Sequence, residues 1–227
     1  GDEDMIRNAR FLTQYIHEMT GIELSQKSNK IIKLQVGLSD KNPEAYKLNV
    51  YADSIVINGA TPAAVFRALQ TMRKSLPSTI VDAVEMPIAE IYDYPRFEYR
   101  GAHFDVSRHF YTIDEVKTFI DMLALHNINN FHWHLNDDQG WRIEIKKYPK
   151  LIEIGSKRKE TVIGRNPGKW DGIPVSGYYT QEQAKEIVEY AAERYINVIL
   201  EIDMPGHMRS ALAAYPHLGC TGGPSDV

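Results

Sequence analysis

The 227 residues carry 26 Lys and Arg against 30 Asp and Glu, a formal charge of -4, and 43% are hydrophobic, which suits a globular protein with a buried core. The two signs are interspersed, so neither a nucleic-acid-binding face nor a polybasic membrane patch is expected. The lone Cys220 excludes an internal disulfide framework and a multi-cysteine metal site, and it reads as a half-buried thiol.

No apolar run approaches the roughly 18 to 20 residues that cross a bilayer, and no signal-peptide core stands at the start. The opening Gly1 reads as a processed or engineered start. From Asp4 to Met19, Ile6, Ala9, Phe11, Leu12, Tyr15, Ile16 and Met19 recur at spacings near three and four, which predicts an amphipathic helix closing at Thr20-Gly21. Strands are expected over 30–38, 45–51 and 54–58, the last two as a hairpin across Ala52-Asp53. Thr61-Pro62 supplies an N-cap and a first-turn proline for a helix with Val65, Phe66, Leu69 and Met72 on one face, ended by Leu76-Pro77. This block reads as a small α+β domain of residues 1–92. Its boundary is set near 91–96, where Asp93, Pro95 and a cluster of tyrosines break the pattern.

The remainder, 93–227, alternates strand and helix, which implies parallel strands with crossover helices. A strand is expected from Tyr99 to Val106. A helix follows, with Thr112 and Glu115 at capping-box spacing and an apolar stripe of Val116, Phe119, Ile120, Leu123 and Ala124 running to His126-Asn127. The second strand, Asn130 to Leu135, puts His132 and His134 on one face and Phe131, Trp133 and Leu135 on the other. A long connection, 136–179, then leads to a helix capped by Thr180 with Gln183 in the box position. The third strand, Asn197 to Ile202, ends in Asp203-Met204-Pro205-Gly206-His207.

All three strands thus end in polar clusters: Asp105 with Arg108 and His109, Asn136 with Asp137 and Asp138, and Asp203 with His207. Convergence of strand ends on one face is how a (β/α)8 barrel builds its active site, although a whole barrel takes about 250 residues. About 130 residues follow the boundary, so a truncated barrel or an open sheet is expected.

Four motifs in order resemble the β-N-acetylhexosaminidases of glycoside hydrolase family 20. They are Arg100-Gly101 leading to Asp105-Val106-Ser107-Arg108-His109-Phe110, the run His132 to Arg142, Gly177-Tyr178-Tyr179-Thr180, and Glu201-Ile202-Asp203-Met204-Pro205-Gly206-His207. The resemblance implies a small α+β domain followed by the first three βα units of a TIM (β/α)8 barrel. It further implies a retaining, cofactor-free enzyme that removes terminal β-linked N-acetylhexosamine from glycans. There the sugar's own 2-acetamido oxygen attacks the anomeric carbon while a carboxylic acid protonates the leaving oxygen. In the family an Asp-Glu pair after the fourth strand does this work. Asp114-Glu115 and Asp137-Asp138 belong to other motifs, so the chain by itself is expected to be inactive. An extracytoplasmic location follows from the resemblance alone, and the oligomeric state stays open.

Carried over by motif, Arg100 is expected to grip sugar hydroxyls with its planar fork of donors, and Asp137 and Asp138 to accept from hydroxyls. Asp203 and His207 are expected to support the catalytic acid. His132 and His134 read as structural polar groups inside the barrel, Arg108 and His109 as holders of the first βα loop, and Trp141 as either a sugar platform or a loop anchor. Strand parity leaves open whether Ala102 and Phe104, or His103 and Asp105, line the interior. Two rival functions are a metal-dependent hydrolase using His132, His134, Asp203 and His207, and an inactive sugar-binding fragment with an unpaired sheet edge.

Overall fold

The computed structural model describes residues 2–25, 27–164, 168–223 and 226–227. These form two compact units. The first holds Gly1–Arg100 with Ala124–Asn127 and Glu193–Tyr195. Its order is α1 (Asp2–Thr20), β1 (Ile31–Val36), β2 (Tyr46–Val50), β3 (Ser54–Gly59), α2 (Pro62–Ser75) and β4 (Ala89–Asp93). The four strands make one sheet in the order β1-β3-β2-β4. β2 and β3 are the expected hairpin, while β1 runs parallel to β3. Thr61 caps α2 by accepting from the Ala64 N–H at 3.2 Å, and Pro62 occupies the first turn, where its missing N–H costs no bond. Phe11, Leu12, Tyr15 and Ile16 of α1 and Val65, Phe66, Leu69 and Met72 of α2 are buried with Leu48, Val50 and Ile57 of the sheet.

β4 corrects the sequence reading. It pairs antiparallel with β2 from Ala89↔Val50 to Asp93↔Tyr46, running into the stretch 91–96 expected to break regular structure. Its Tyr92 and Asp93 look like turn material in the sequence, but an edge strand needs only one paired side and tolerates polar residues facing out.

The second unit holds Gly101–Leu123, Ile128–Ala192 and Ile196–Val227. Its order is β5 (Gly101–Asp105), α3 (Ile113–Leu125), β6 (Asn130–His134), β7 (Asn136–Asp137), β8 (Gly140–Trp141), α4 (Lys150–Glu153), β9 (Lys157–Arg158), β10 (Val175–Ser176), α5 (Gln181–Glu193), β11 (Asn197–Glu201) and α6 (Arg209–Ala214). β5, β6 and β11 form a parallel three-stranded sheet in the order β11-β6-β5, the strand–helix–strand pattern of TIM-barrel units. Both capping boxes form. The Thr112 and Glu115 backbone N–H groups are held reciprocally by each other's side chains, as are those of Thr180 and Gln183.

The parity question is settled by packing. Phe104 stacks on Phe119 of α3 at 4.3 Å between ring centroids, and Phe131 and Trp133 are fully buried, so this face of the sheet is the helix side. His103 and Asp105, His132 and His134, and Glu201 share the opposite face. The register sets His103 beside His132, and His134 between Asp105 and Glu201. The connection 136–179, apart from Arg165–Pro167 outside the described residues, contains short paired strands and one turn of helix.

In the first unit, Glu44 Oε1 lies 2.7 Å from Arg67 Nε and 2.8 Å from Arg100 Nη2, and all three side chains are largely buried. Burial alone would raise the Glu44 pKa, but the two guanidiniums outweigh it and hold the carboxyl below its ordinary value of 4.5. The stabilisation is therefore present above that value and lost as pH falls through the lower folded value. Glu44→Gln should cost about 3 kcal/mol in denaturant unfolding, because it leaves Arg67 buried without its counter-charge, and should flatten the acid limb of the stability profile.

Candidate active site

The second unit draws its strand ends together around one carboxylate. Asp137 is 1% exposed. Its Oδ2 lies 2.5 Å from Arg108 Nη2 and 2.9 Å from His134 Nε2, and its Oδ1 lies 3.0 Å from His207 Nδ1 and accepts the Asp138 N–H at 2.7 Å. β5 leads to Arg108, β6 supplies His134, and β11 leads to His207. A buried carboxylate is tolerated only with such partners, since unpaired it would lose its hydration without return.

Arg108 is shared with Asp105, whose Oδ2 it meets at 2.7 Å, while Asp105 Oδ1 also accepts the Ser107 and Arg108 N–H groups. Burial would raise the Asp105 pKa, but these donors outweigh it and hold it low, so it stays a carboxylate. Behind Asp137, His134 Nδ1 comes within 2.8 Å of Glu201 Oε2, and His132 Nε2 within 2.6 Å of the same oxygen. Burial opposes charge on both His134 and Glu201, yet their mutual attraction prevails: the His134 pKa is raised and that of Glu201 lowered.

The loop after β6 is fixed by side chains acting on backbone. Asn136, fully buried, accepts the Asp203 N–H at 2.7 Å and donates to the carbonyls of Asp203 and His207 at 3.0 and 3.2 Å, so its amide ties the ends of β6 and β11 together. Arg142, also fully buried, donates to the carbonyls of Ser107, Gln139, Ser156 and Gly177. Burial, and secondarily Arg158, push the Arg142 pKa down to about 10, still leaving it charged near neutrality. Gly140 leaves the room this needs, because a Cβ there would stand 2.3 Å from the Arg142 guanidinium carbon.

The structure brings Asp137, Asp138, Asp203 and His207 to one place. Asp138 Oδ1 accepts the Arg209 N–H, and His207 Nε2 lies 3.9 Å from Asp203 Oδ2. His207 holds a positive φ of 54°, a conformation that side chains rarely adopt outside turns and functional sites. Arg100 is not brought there. It lies in the first unit, donating to the carbonyls of Asn127, Phe97 and Glu98 besides pairing with Glu44. Arg108 stands in the cluster instead, with a side chain 41% exposed, so it does more than hold its loop. The four acceptor positions of Asp137 are filled by Arg108, His134, His207 and the Asp138 N–H.

Trp141 is a loop anchor, buried with its indole N–H on the Ile143 carbonyl at 2.6 Å. Cys220 is exposed rather than half-buried. The metal set of His132, His134, Asp203 and His207 does not assemble. Among the described residues the groupings that bring ligand atoms together are His103, His134 and Glu201, and Asp137, Asp138 and His207. Arg142 and Glu201 were not expected as site-building residues, whereas Asn136 and Arg108 stood in the expected strand-end clusters, Arg108 three residues after Asp105.

Residues 97–226 match the model for glycosyl hydrolase family 20, catalytic domain, and residues 1–94 that for glycosyl hydrolase family 20, domain 2. Among curated relatives, a beta-hexosaminidase of Porphyromonas gingivalis is 46% identical over 78% of this chain and 22% of its own length. One of Akkermansia muciniphila is 37% identical over 90% of this chain and 41% of its own. The family 20 β-N-acetylhexosaminidase of Streptomyces coelicolor superposes with a TM-score of 0.86 at 34% identity, covering 98% of this chain and 44% of that one. The Streptomyces plicatus N-acetyl-β-hexosaminidase in complex with Thio-NAglucal gives 0.83 at 35%, covering 96% and 43%. The chain therefore spans less than half the length of these relatives.

Replacing Arg142 by Met should remove four carbonyl bonds and leave buried acceptors unpaired, a loss of about 3 kcal/mol or more in urea unfolding. Lys in its place should recover only part of this, because an ammonium lacks the planar fork that reaches several carbonyls at once.

Proposed function

The chain belongs to glycosyl hydrolase family 20, and from that premise we propose that its second unit supplies the sugar-gripping part of a β-N-acetylhexosaminidase site. The whole protein would hydrolyse terminal, non-reducing β-linked N-acetylglucosamine or N-acetylgalactosamine from glycans. The observation that carries this reading is the Asp137 cluster, three nitrogen bases from three strand ends held on one buried carboxylate.

In this reading Asp137 is a positioning residue. It holds Arg108, whose remaining donors bind neighbouring sugar hydroxyls, and His207, which with Asp203 supports the general acid. Fixing these groups before substrate arrives removes their ordering cost from the binding step. The mechanism is retaining and substrate-assisted: the 2-acetamido oxygen attacks C1 as a carboxylic acid protonates the departing oxygen, and the same residue, now a carboxylate, activates water to open the cyclic intermediate. The division at residues 92 and 93 belongs to the same proposal, as does action outside the cytoplasm, where terminal glycan sugars are met. No helix among the described residues is long and apolar enough to cross a membrane.

In the full-length protein acting on an aryl N-acetyl-β-glucosaminide, Arg108→Ala should raise KM by about tenfold to a hundredfold, the equivalent of one charged hydrogen-bonded contact. Arg100→Ala should lower stability while leaving KM within about twofold. An unchanged KM in the Arg108 variant would remove that residue from the sugar site. A thiazoline mimic of the cyclised intermediate should inhibit competitively, and failure to bind would refute the substrate-assisted mechanism.

A further inference from the structure

The interior face of the β5-β6-β11 sheet carries three imidazoles and one carboxylate, of which the proposed sugar chemistry uses only His134, through its Nε2 contact to Asp137. Glu201 Oε2 has His132 Nε2 at 2.6 Å, His134 Nδ1 at 2.8 Å and His103 Nε2 at 3.7 Å. Neither His134 Nδ1 nor Glu201 Oε2 has a hydrogen-bond partner in proper alignment, although the His134 side chain is 95% buried by its 5% exposure. Three nitrogens thus gather about one oxygen off the hydrogen-bond line. A positive centre shared among them satisfies such an arrangement better than paired N–H···O bonds do.

We propose that His103, His134 and Glu201 form a binding site for a zinc-class divalent transition-metal ion, with His132 on Glu201 Oε2 beside it and outside the ligand set. Their ligand atoms lie within 4.8 Å of one another. Tetrahedral zinc, with bonds of about 2.0–2.2 Å, needs ligands about 3.4 Å apart, a spacing that small side-chain rotations supply here. Imidazole and carboxylate together suit zinc, cobalt or nickel, and the scarcity of oxygen donors disfavours calcium and magnesium.

A separate observation points the same way. His134 offers its other nitrogen, Nε2, to Asp137 Oδ2 at 2.9 Å, the carboxylate–histidine arrangement that fixes the tautomer of metal-ligating imidazoles and leaves Nδ1 to the ion. The register explains how the set arose: His103 pairs with His132 and His134 with Glu201 across parallel strands, so alternation stacks all four on one face. The site is distinct from the ligand set expected from the sequence, sharing only His134 with it.

The test uses the full-length protein, stripped by chelator and free of any affinity tag, titrated with zinc by calorimetry and with cobalt(II) by visible absorption. One saturable zinc equivalent is expected, with the cobalt spectrum of a four-coordinate nitrogen–oxygen site. His103→Ala, at a half-exposed position that folding tolerates, should weaken zinc at least tenfold and collapse the cobalt band, and Glu201→Gln should do the same. Absence of saturable binding in the parent protein, or equal binding in both variants with circular dichroism unchanged, would overturn the proposal.

Discussion

A carboxylate with almost no exposure to water has to be surrounded before the fold can accept it, and Asp137 is that carboxylate. Its partners come from three different βα units, so no single unit can satisfy it. Arg108 arrives after β5, His134 from the last position of β6, and His207 six residues beyond β11. The charge therefore works as a register pin. If any strand slipped by one residue, the face alternation would turn its contribution away and leave Asp137 unpaired. The same constraint holds Arg108 and His207, both part-exposed, at fixed places around Asp137.

The sheet is divided in a way that suits this arrangement. Its helix side is aromatic, with Phe104, Phe119, Phe131 and Trp133 in contact, and its stability comes from apolar burial. Its other side gathers five ionisable residues toward the strand ends, His103, Asp105, His132, His134 and Glu201. Charge there is balanced locally, Asp105 by Arg108, and Glu201 by His134, whose pKa is raised despite its burial. Asn136 and Arg142 do the corresponding work for the backbone, supplying donors and acceptors to strand ends and loops that have left the ladder. Asp137 and Glu201 are joined through the two nitrogens of His134, so an ion at the interior cluster would act directly on the Asp137 cluster.

Much of this was legible because it is local. The capping residues Thr61, Thr112 and Thr180, the hairpin at Ala52-Asp53 and the alternation of β6 depend on neighbours within a few positions, and periodicity reports them directly. What escaped depends on long-range pairing. β4 exists because β2 offers it an edge, which Asp93 and Pro95 conceal in the linear sequence. Arg100 and Arg108 stand in one motif, and the sequence does not say which guanidinium reaches the site. The answer lies in Glu44, 56 positions before Arg100, which engages it, and in Asp137, which engages Arg108. The polar residues at the strand ends are visible in the linear sequence; their pairing around Asp137 depends on contacts between strands.

The central claim is that Asp137 organises a sugar-binding point through Arg108 and His207. A crystal structure of the full-length protein with N-acetylglucosamine tests this most directly. The account predicts the Arg108 guanidinium within hydrogen-bond distance of a ring hydroxyl while it still contacts Asp137, with Arg100 remaining on Glu44. A sugar held without any contact to Arg108 or His207, or held by Arg100, would contradict it.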